Sequence, residues 1–227
     1  MIGVTENLRI VRDLLAKASV DAGRDPEAVR LLAVSKKQPV EAIQEAVAAG
    51  QRDFGENFVQ EGLAKIETVG RDGIQWHFIG QLQTNKTRAV AEHFDWVHTI
   101  DRLKIAERLG RQRPDDLPDL NVCLQINIDA EDGKAGIAPD AVLPLAREVA
   151  AVPRLRLRGL MCLPAIRHNA AEQREPFARL RDLQSELREA GIETDTLSMG
   201  MSGDFVPAIA EGSTIVRIGT AVFGPRE

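Results

Sequence analysis

Tyrosine is absent from all 227 residues, and phenylalanine and tryptophan number only seven and two. No phenol is therefore available to move a proton, and any acid–base chemistry must use another side chain. Cysteine is almost as scarce. Cys123 and Cys162 both lie inside apolar runs, where they read as small core residues suited to a reducing cytoplasm. Neither these thiols nor the four histidines, His77, His93, His98 and His168, have the spacing of a metal site. No apolar run approaches a membrane span, and the N-terminus has no signal-peptide pattern. A net charge of -5, spread along the chain, excludes a dedicated nucleic-acid surface. Walker loops, dinucleotide GxGxxG fingerprints and nucleophile elbows are missing as well.

What is present is a regular beat of short apolar runs and amphipathic segments. Leu8, Val11, Leu14, Leu15 and Ala18 recur at helical spacing, so residues 1–22 read as a helix stopped by Gly23. Asp25-Pro26-Glu27 predicts a short helical turn. Strands are then expected at 31–35, 52–55, 74–79, 95–100, 121–128, 155–162, 194–199 and 213–218. The helices between them are expected at 40–49, 57–69, 85–93, 102–109, 140–151, 173–190 and 203–210, with a charged loop at 111–118 and a flexible one at 129–136. Asn85-Lys86-Thr87 reads as a helix start. Eight strands alternating with helices, with no composition break, predict an α/β protein: one (β/α)8 barrel over residues 1–227, with an extra N-terminal helix.

In such a barrel, chemistry gathers where strands end. The first strand, Leu31 to Ser35, is apolar on both faces and ends in Lys36 and Lys37. A partly desolvated lysine there titrates lower and can attack an aldehyde to form a Schiff base. Alternation cannot choose between the two lysines when both faces are apolar. The loops after strands seven and eight are the usual phosphate site of a barrel. Here they read Ser198-Met199-Gly200-Met201-Ser202-Gly203 and Gly219-Thr220. Glycines let amides approach phosphate oxygens, and Ser202 precedes a short helix. The plainer reading makes Ser202 a helix cap and Gly219 a packing glycine. Arg217 stands inside the eighth strand and must reach water, an acceptor on a ligand, or a carboxylate such as Glu56 across the barrel.

These segments resemble the pyridoxal phosphate homeostasis proteins, which are similar to the isolated barrel domain of bacterial alanine racemase. The resemblance runs from Leu32 to Gly224. It is carried by Leu32-Ala33-Val34-Ser35-Lys36, Gly55-Glu56-Asn57, Trp76-His77-Phe78-Ile79-Gly80, Leu157-Arg158-Gly159-Leu160-Met161, Leu197-Ser198-Met199-Gly200-Met201-Ser202 and Val216-Arg217-Ile218-Gly219-Thr220. The departures are small: Lys37-Gln38 in place of the commoner Thr-Lys, Phe58 for tyrosine, and Gln81 and Thr84 for proline and serine.

The resemblance implies a cofactor, pyridoxal 5'-phosphate, held as an aldimine by Lys36. It implies that Ser202, Gly219 and Thr220 hold the phosphate with backbone near Met199 and Gly200, that Arg217 faces the pyridine nitrogen, and that Asn57 lies near the ring hydroxyl. An arginine at that nitrogen disfavours its proton and so weakens the ring as an electron sink. The second base of alanine racemase is a tyrosine from another domain, which a tyrosine-free chain ending at Glu227 is not expected to supply. A cytoplasmic, monomeric carrier or regulator of vitamin B6 with little or no turnover is therefore expected, with cofactor-dependent apo-enzymes as recipients. The alternatives are a racemase or decarboxylase using His77 or Lys86 as base, and a barrel enzyme acting on a phosphorylated metabolite.

Overall fold

A computed structural model describes residues 3–224; the first two residues of the expected leading helix lie outside them. Helix α1 (Val4–Asp21) buries Leu8, Val11, Leu15 and Ala18, spaced for a single face, and Gly23 follows at φ 70°. Next comes a turn in which Asp25 Oδ1 accepts the Glu27 amide at 2.8 Å. The Ala28 amide donates to the Asp25 carbonyl at 3.0 Å, so a short turn forms where one was expected.

The chain then alternates in order: β1 (Arg30–Val34), α2 (Val40–Ala48), β2 (Asp53–Glu56), α3 (Val59–Val69), β3 (Gln75–Phe78), α4 (Thr87–His93), β4 (Trp96–Ile100) and α5 (Leu103–Gln112). It continues with β5 (Leu120–Ile126), α6 (Val142–Ala150), β6 (Leu155–Cys162), α7 (Ala170–Glu189), β7 (Thr196–Ser198), α8 (Phe205–Ala210), β8 (Ile215–Ile218) and α9 (Thr220–Phe223). All neighbouring strands pair in parallel, and β1 pairs with β8 in the register Leu32↔Arg217 and Ala33↔Ile218, which closes the barrel. The expected fold is the observed one.

Local differences have local causes. Helix α5 extends to Gln112, consuming the start of the expected 111–118 loop. Helix α7 begins three residues early because Asn169 Oδ1 caps it, accepting the Glu172 amide at 2.8 Å. Helix α8 begins at Phe205 with Asp204 as its N-cap, so Ser202 does not cap it.

The main core lies between the barrel and its helices and includes Phe54, Trp76, Phe78, Phe94 and Phe177. Inside the barrel sit two small apolar clusters, one of Leu32, Val34, Ile79 and Ile215, the other of Trp96, Cys123 and Met161. At the end where the strands begin, the guanidinium groups of Arg158 and Arg30 lie 4.9 and 5.7 Å from the Trp96 ring centre. Among the described residues no helix is long and apolar enough to cross a membrane.

Candidate functional site at the barrel mouth

Strand β1 delivers Lys36 to the end of the barrel where strands finish. Leu32 and Val34 belong to an interior cluster while Ala33 belongs to the outer core, and Lys36 follows in the turn two residues beyond the end of the strand. Lys36 is half-buried. Lys37 departs from the strand with φ 59°, is exposed, and its amide donates to Glu61 Oε1. The two lysines therefore occupy different environments, a difference that alternation in the sequence does not show.

The turn below Lys36 is braced from helix α3. Lys65 Nζ donates to the Ser35 carbonyl at 2.6 Å, to Glu56 Oε1 at 2.8 Å and to Glu61 Oε1 at 2.6 Å. Ser35 Oγ donates to the same Glu56 oxygen at 2.6 Å. Burial pushes the Glu56 carboxyl up, opposed by the hydrogen bonds from Lys65 and Ser35. Glu56 is thus engaged in bracing β1, and the suggested Glu56–Arg217 bridge does not form.

Arg217, on the inner wall of β8, finds other partners. Nη1 donates to Ser198 Oγ at 2.8 Å and Nη2 to the Cys162 carbonyl at 2.9 Å. Burial lowers its pKa, yet a guanidinium stays charged at any ordinary pH. The register Leu32↔Arg217 puts it one strand away from the lysine-bearing segment. Cys162 and Cys123 are buried thiols pushed up to about 12 by desolvation, which leaves them inert.

The loops after β7 and β8 supply amides. Among the described residues, the backbone N–H groups of Ser202, Gly203, Gly219, Thr220 and Ala221 have no intramolecular acceptor. Met199 is different: its amide donates to the Ile215 carbonyl at 3.1 Å and its carbonyl accepts from Ser213 Oγ at 2.7 Å. It walls the site, whereas Gly200 adopts φ 97° and accepts the Arg217 amide at 3.0 Å. Thr220 opens α9, a one-turn helix that sequence periodicity is too short to reveal.

Asn57 completes the rim. Its side-chain Oδ1 is buried without a hydrogen-bond partner, as expected of an atom awaiting a donor. Gly80 fixes its backbone, since a Cβ there would lie 2.0 Å from the Asn57 carbonyl oxygen. Thr99 Oγ1 holds the Gly80 carbonyl at 2.7 Å. A cavity of about 450 Å³ opens beside Asn57, lined also by Phe58, Gln81, Gln83 and Lys86.

The structure thus gathers Lys36, Asn57, Gly200, Ser202, Arg217, Gly219 and Thr220 at one end of the barrel, with Met199 behind them. His77, considered as a base, is fully buried below the mouth against Asp53 and His98, out of reach of a substrate at the rim. Lys65 escapes sequence reasoning because it sits on a helix face as any solvated lysine would; only its proximity to Glu56 betrays it.

Comparison with known proteins follows the same lines. The sequence pattern of the alanine racemase N-terminal domain matches residues 6–227. The chain is 53% identical to the pyridoxal phosphate homeostasis protein of Pseudomonas aeruginosa over 227 residues, covering all of this chain and 97% of the relative. It is likewise 53% identical to that of Escherichia coli over 230 residues, with 100% and 98% covered. The solved structure of PipY from Synechococcus elongatus with pyridoxal phosphate bound superimposes with a TM-score of 0.85 at 38% identity, covering 97% of this chain and 100% of that one.

Proposed function

This chain belongs to the pyridoxal phosphate homeostasis protein family, built on the alanine racemase N-terminal domain, and from that premise we propose that it binds pyridoxal 5'-phosphate and buffers it for other proteins. The observation that carries the reading is the pairing of β1 with β8, which sets a lysine-bearing turn beside a buried arginine and a cluster of unsatisfied amides. When bound, the cofactor supplies an aldehyde, an electron-withdrawing ring and a phosphate dianion.

The residues fit each of these groups. Lys36 offers the amine for the aldehyde. The amides of Ser202, Gly203, Gly219, Thr220 and Ala221, with the Ser202 and Thr220 hydroxyls, suit a phosphate, and Gly200 and Met199 shape the wall beneath it. Asn57 Oδ1 has an acceptor position to fill at the ring hydroxyl. Arg217 is a donor only, so a ring nitrogen facing it must accept and remain unprotonated. An unprotonated ring withdraws electrons weakly, and this favours holding the cofactor over turning substrate over. Of the bases weighed for an enzyme, burial disqualifies His77, leaving Lys86 at the rim. The carrier reading places the protein in the cytoplasm, as one monomeric unit that hands the cofactor to apo-enzymes.

The test is incubation with pyridoxal 5'-phosphate, borohydride reduction and peptide mass mapping. Modification confined to Lys36 is expected. Labelling spread over surface lysines, or none, overturns the reading and leaves a phosphate-binding barrel. Amino-acid turnover that is lost on Lys36→Ala would instead establish a racemase or decarboxylase.

A further inference from the structure

A continuous chain of hydrogen bonds runs through the inside of the barrel from one end to the other. Asp53 Oδ1, at the start of β2, lies 3.0 Å from His77 Nε2. His77 Nδ1 lies 2.9 Å from His98 Nε2, and His98 Nδ1 lies 2.8 Å from Ser198 Oγ. Ser198 Oγ receives Arg217 Nη1 at 2.8 Å. His77, His98 and Ser198 are fully buried, and the chain passes between the two apolar clusters of the interior.

The ends dictate its direction. A carboxylate only accepts, so His77 Nε2 must carry a proton. In neutral His77 the Nδ1 atom then accepts from His98 Nε2–H, and His98 Nδ1 accepts from the Ser198 hydroxyl. Arg217 only donates, which suits a serine oxygen whose own hydrogen is directed at His98. Both ends select the same arrangement, and the reverse order sets His77 Nε2 acceptor against Asp53. The charged groups facing the pair are Asp53, Arg30 and Asp95 around His77, with Arg30 and Arg217 around His98. Burial holds both imidazoles neutral, and Asp53 is anchored by Arg30 at 3.4 Å.

We propose that Asp53, His77, His98 and Ser198 are positioning residues for the cofactor, which fix the plane of the Arg217 guanidinium from the far end of the barrel through a one-way series of hydrogen bonds. The Cys162 carbonyl holds Nη2, the serine holds Nη1, and the remaining N–H groups keep a fixed aim. The inference rests on the reading of Arg217 as the group that meets the ring nitrogen, and the experiment separates the two.

Nitrogen-15 NMR of the wild-type protein without cofactor reads the histidine tautomers directly. Protonated Nε2 and bare Nδ1 are expected on both rings near neutral pH; a proton on His98 Nδ1 overturns the chain. The second measurement compares Asp53→Leu, Asp53→Asn and Ser198→Ala by cofactor titration and by the absorption band of the bound cofactor. Asp53→Leu and Ser198→Ala should bind about tenfold more weakly with a shifted band, as for a lost hydrogen bond to a charged group. Asp53→Asn, which keeps an acceptor oxygen, should restore most of the affinity and the band position. If Asp53→Leu does not fold, Ser198→Ala and the tautomers still decide. Wild-type uptake of cofactor with unchanged variants overturns this inference; failure of the wild type to take up cofactor overturns the reading it rests on.

Discussion

Lys65 donates to the Ser35 carbonyl at 2.6 Å and thereby grips the peptide immediately before Lys36. Its side chain is 6% exposed and that of its partner Glu56 not at all, so the pair is a buried ion pair carrying a backbone contact. Removing one member strands the other charge. Lys65→Met should cost about 3–5 kcal/mol in urea unfolding. Glu56→Gln, which keeps an acceptor for Ser35 and Lys65, should cost less, and equal losses would show that the pair acts through its charge and not through its hydrogen bonds.

Gly80→Ala tests how Asn57 is held. The new methyl would meet the Asn57 carbonyl oxygen at 2.0 Å, which is backbone and cannot rotate away. The rim must shift, with a stability loss of about 1–3 kcal/mol and weaker cofactor binding. An unchanged affinity would remove Asn57 from the site.

Acid should destabilise the protein in a defined window. His77 and His98 both titrate below 6.5 because burial disfavours the charged ring. The unfolded chain then binds more protons than the folded one. Stability from the neutral rings is complete above the unfolded value near 6.5 and falls as pH drops from there through the folded values. With both rings contributing, the slope approaches about 2.7 kcal/mol per pH unit. Urea midpoints between about pH 7 and pH 5 check this, and the double variant His77→Gln/His98→Gln should flatten the curve.

Asp129 ties two mouth loops together. It accepts Arg167 Nη2 at 2.6 Å and the Ala165 amide at 2.6 Å. Asp129→Ala should release the loop after β6, read as faster proteolysis between residues 163 and 169, with the barrel itself intact. Cleavage at the wild-type rate would show that the loop is held by other contacts.

The barrel was legible because parallel strands buried on both faces appear as uninterrupted apolar runs, such as Leu31–Val34, punctuated by helix stops like Gly50 and Gly70. Strand-end placement of Lys36, Asn57 and Ser202, and the place of Arg217 within the eighth strand, followed from that periodicity. Their grouping at one mouth followed only once β1 closed on β8. Of the two readings open for Ser202, the helix cap is set aside because Asp204, two residues on, holds the N-cap position. Nothing in the sequence links Asp53, His77, His98 and Ser198. Each is one of two polar residues in a short strand, drawn from β2, β3, β4 and β7; strand pairing aligns the first three, and only ring closure brings Ser198 to them.

The stacked floor beneath that polar column has a consequence for traffic. His77 lies parallel to Trp96 with ring centres 5.3 Å apart, and Arg30 and Arg158 are seated on Trp96 and tied to Asp53 and Asp195. Among the described residues the barrel is therefore closed at the end where its strands begin. A molecule that enters over Lys36 leaves by the rim it crossed on arrival, so entry and exit share one face.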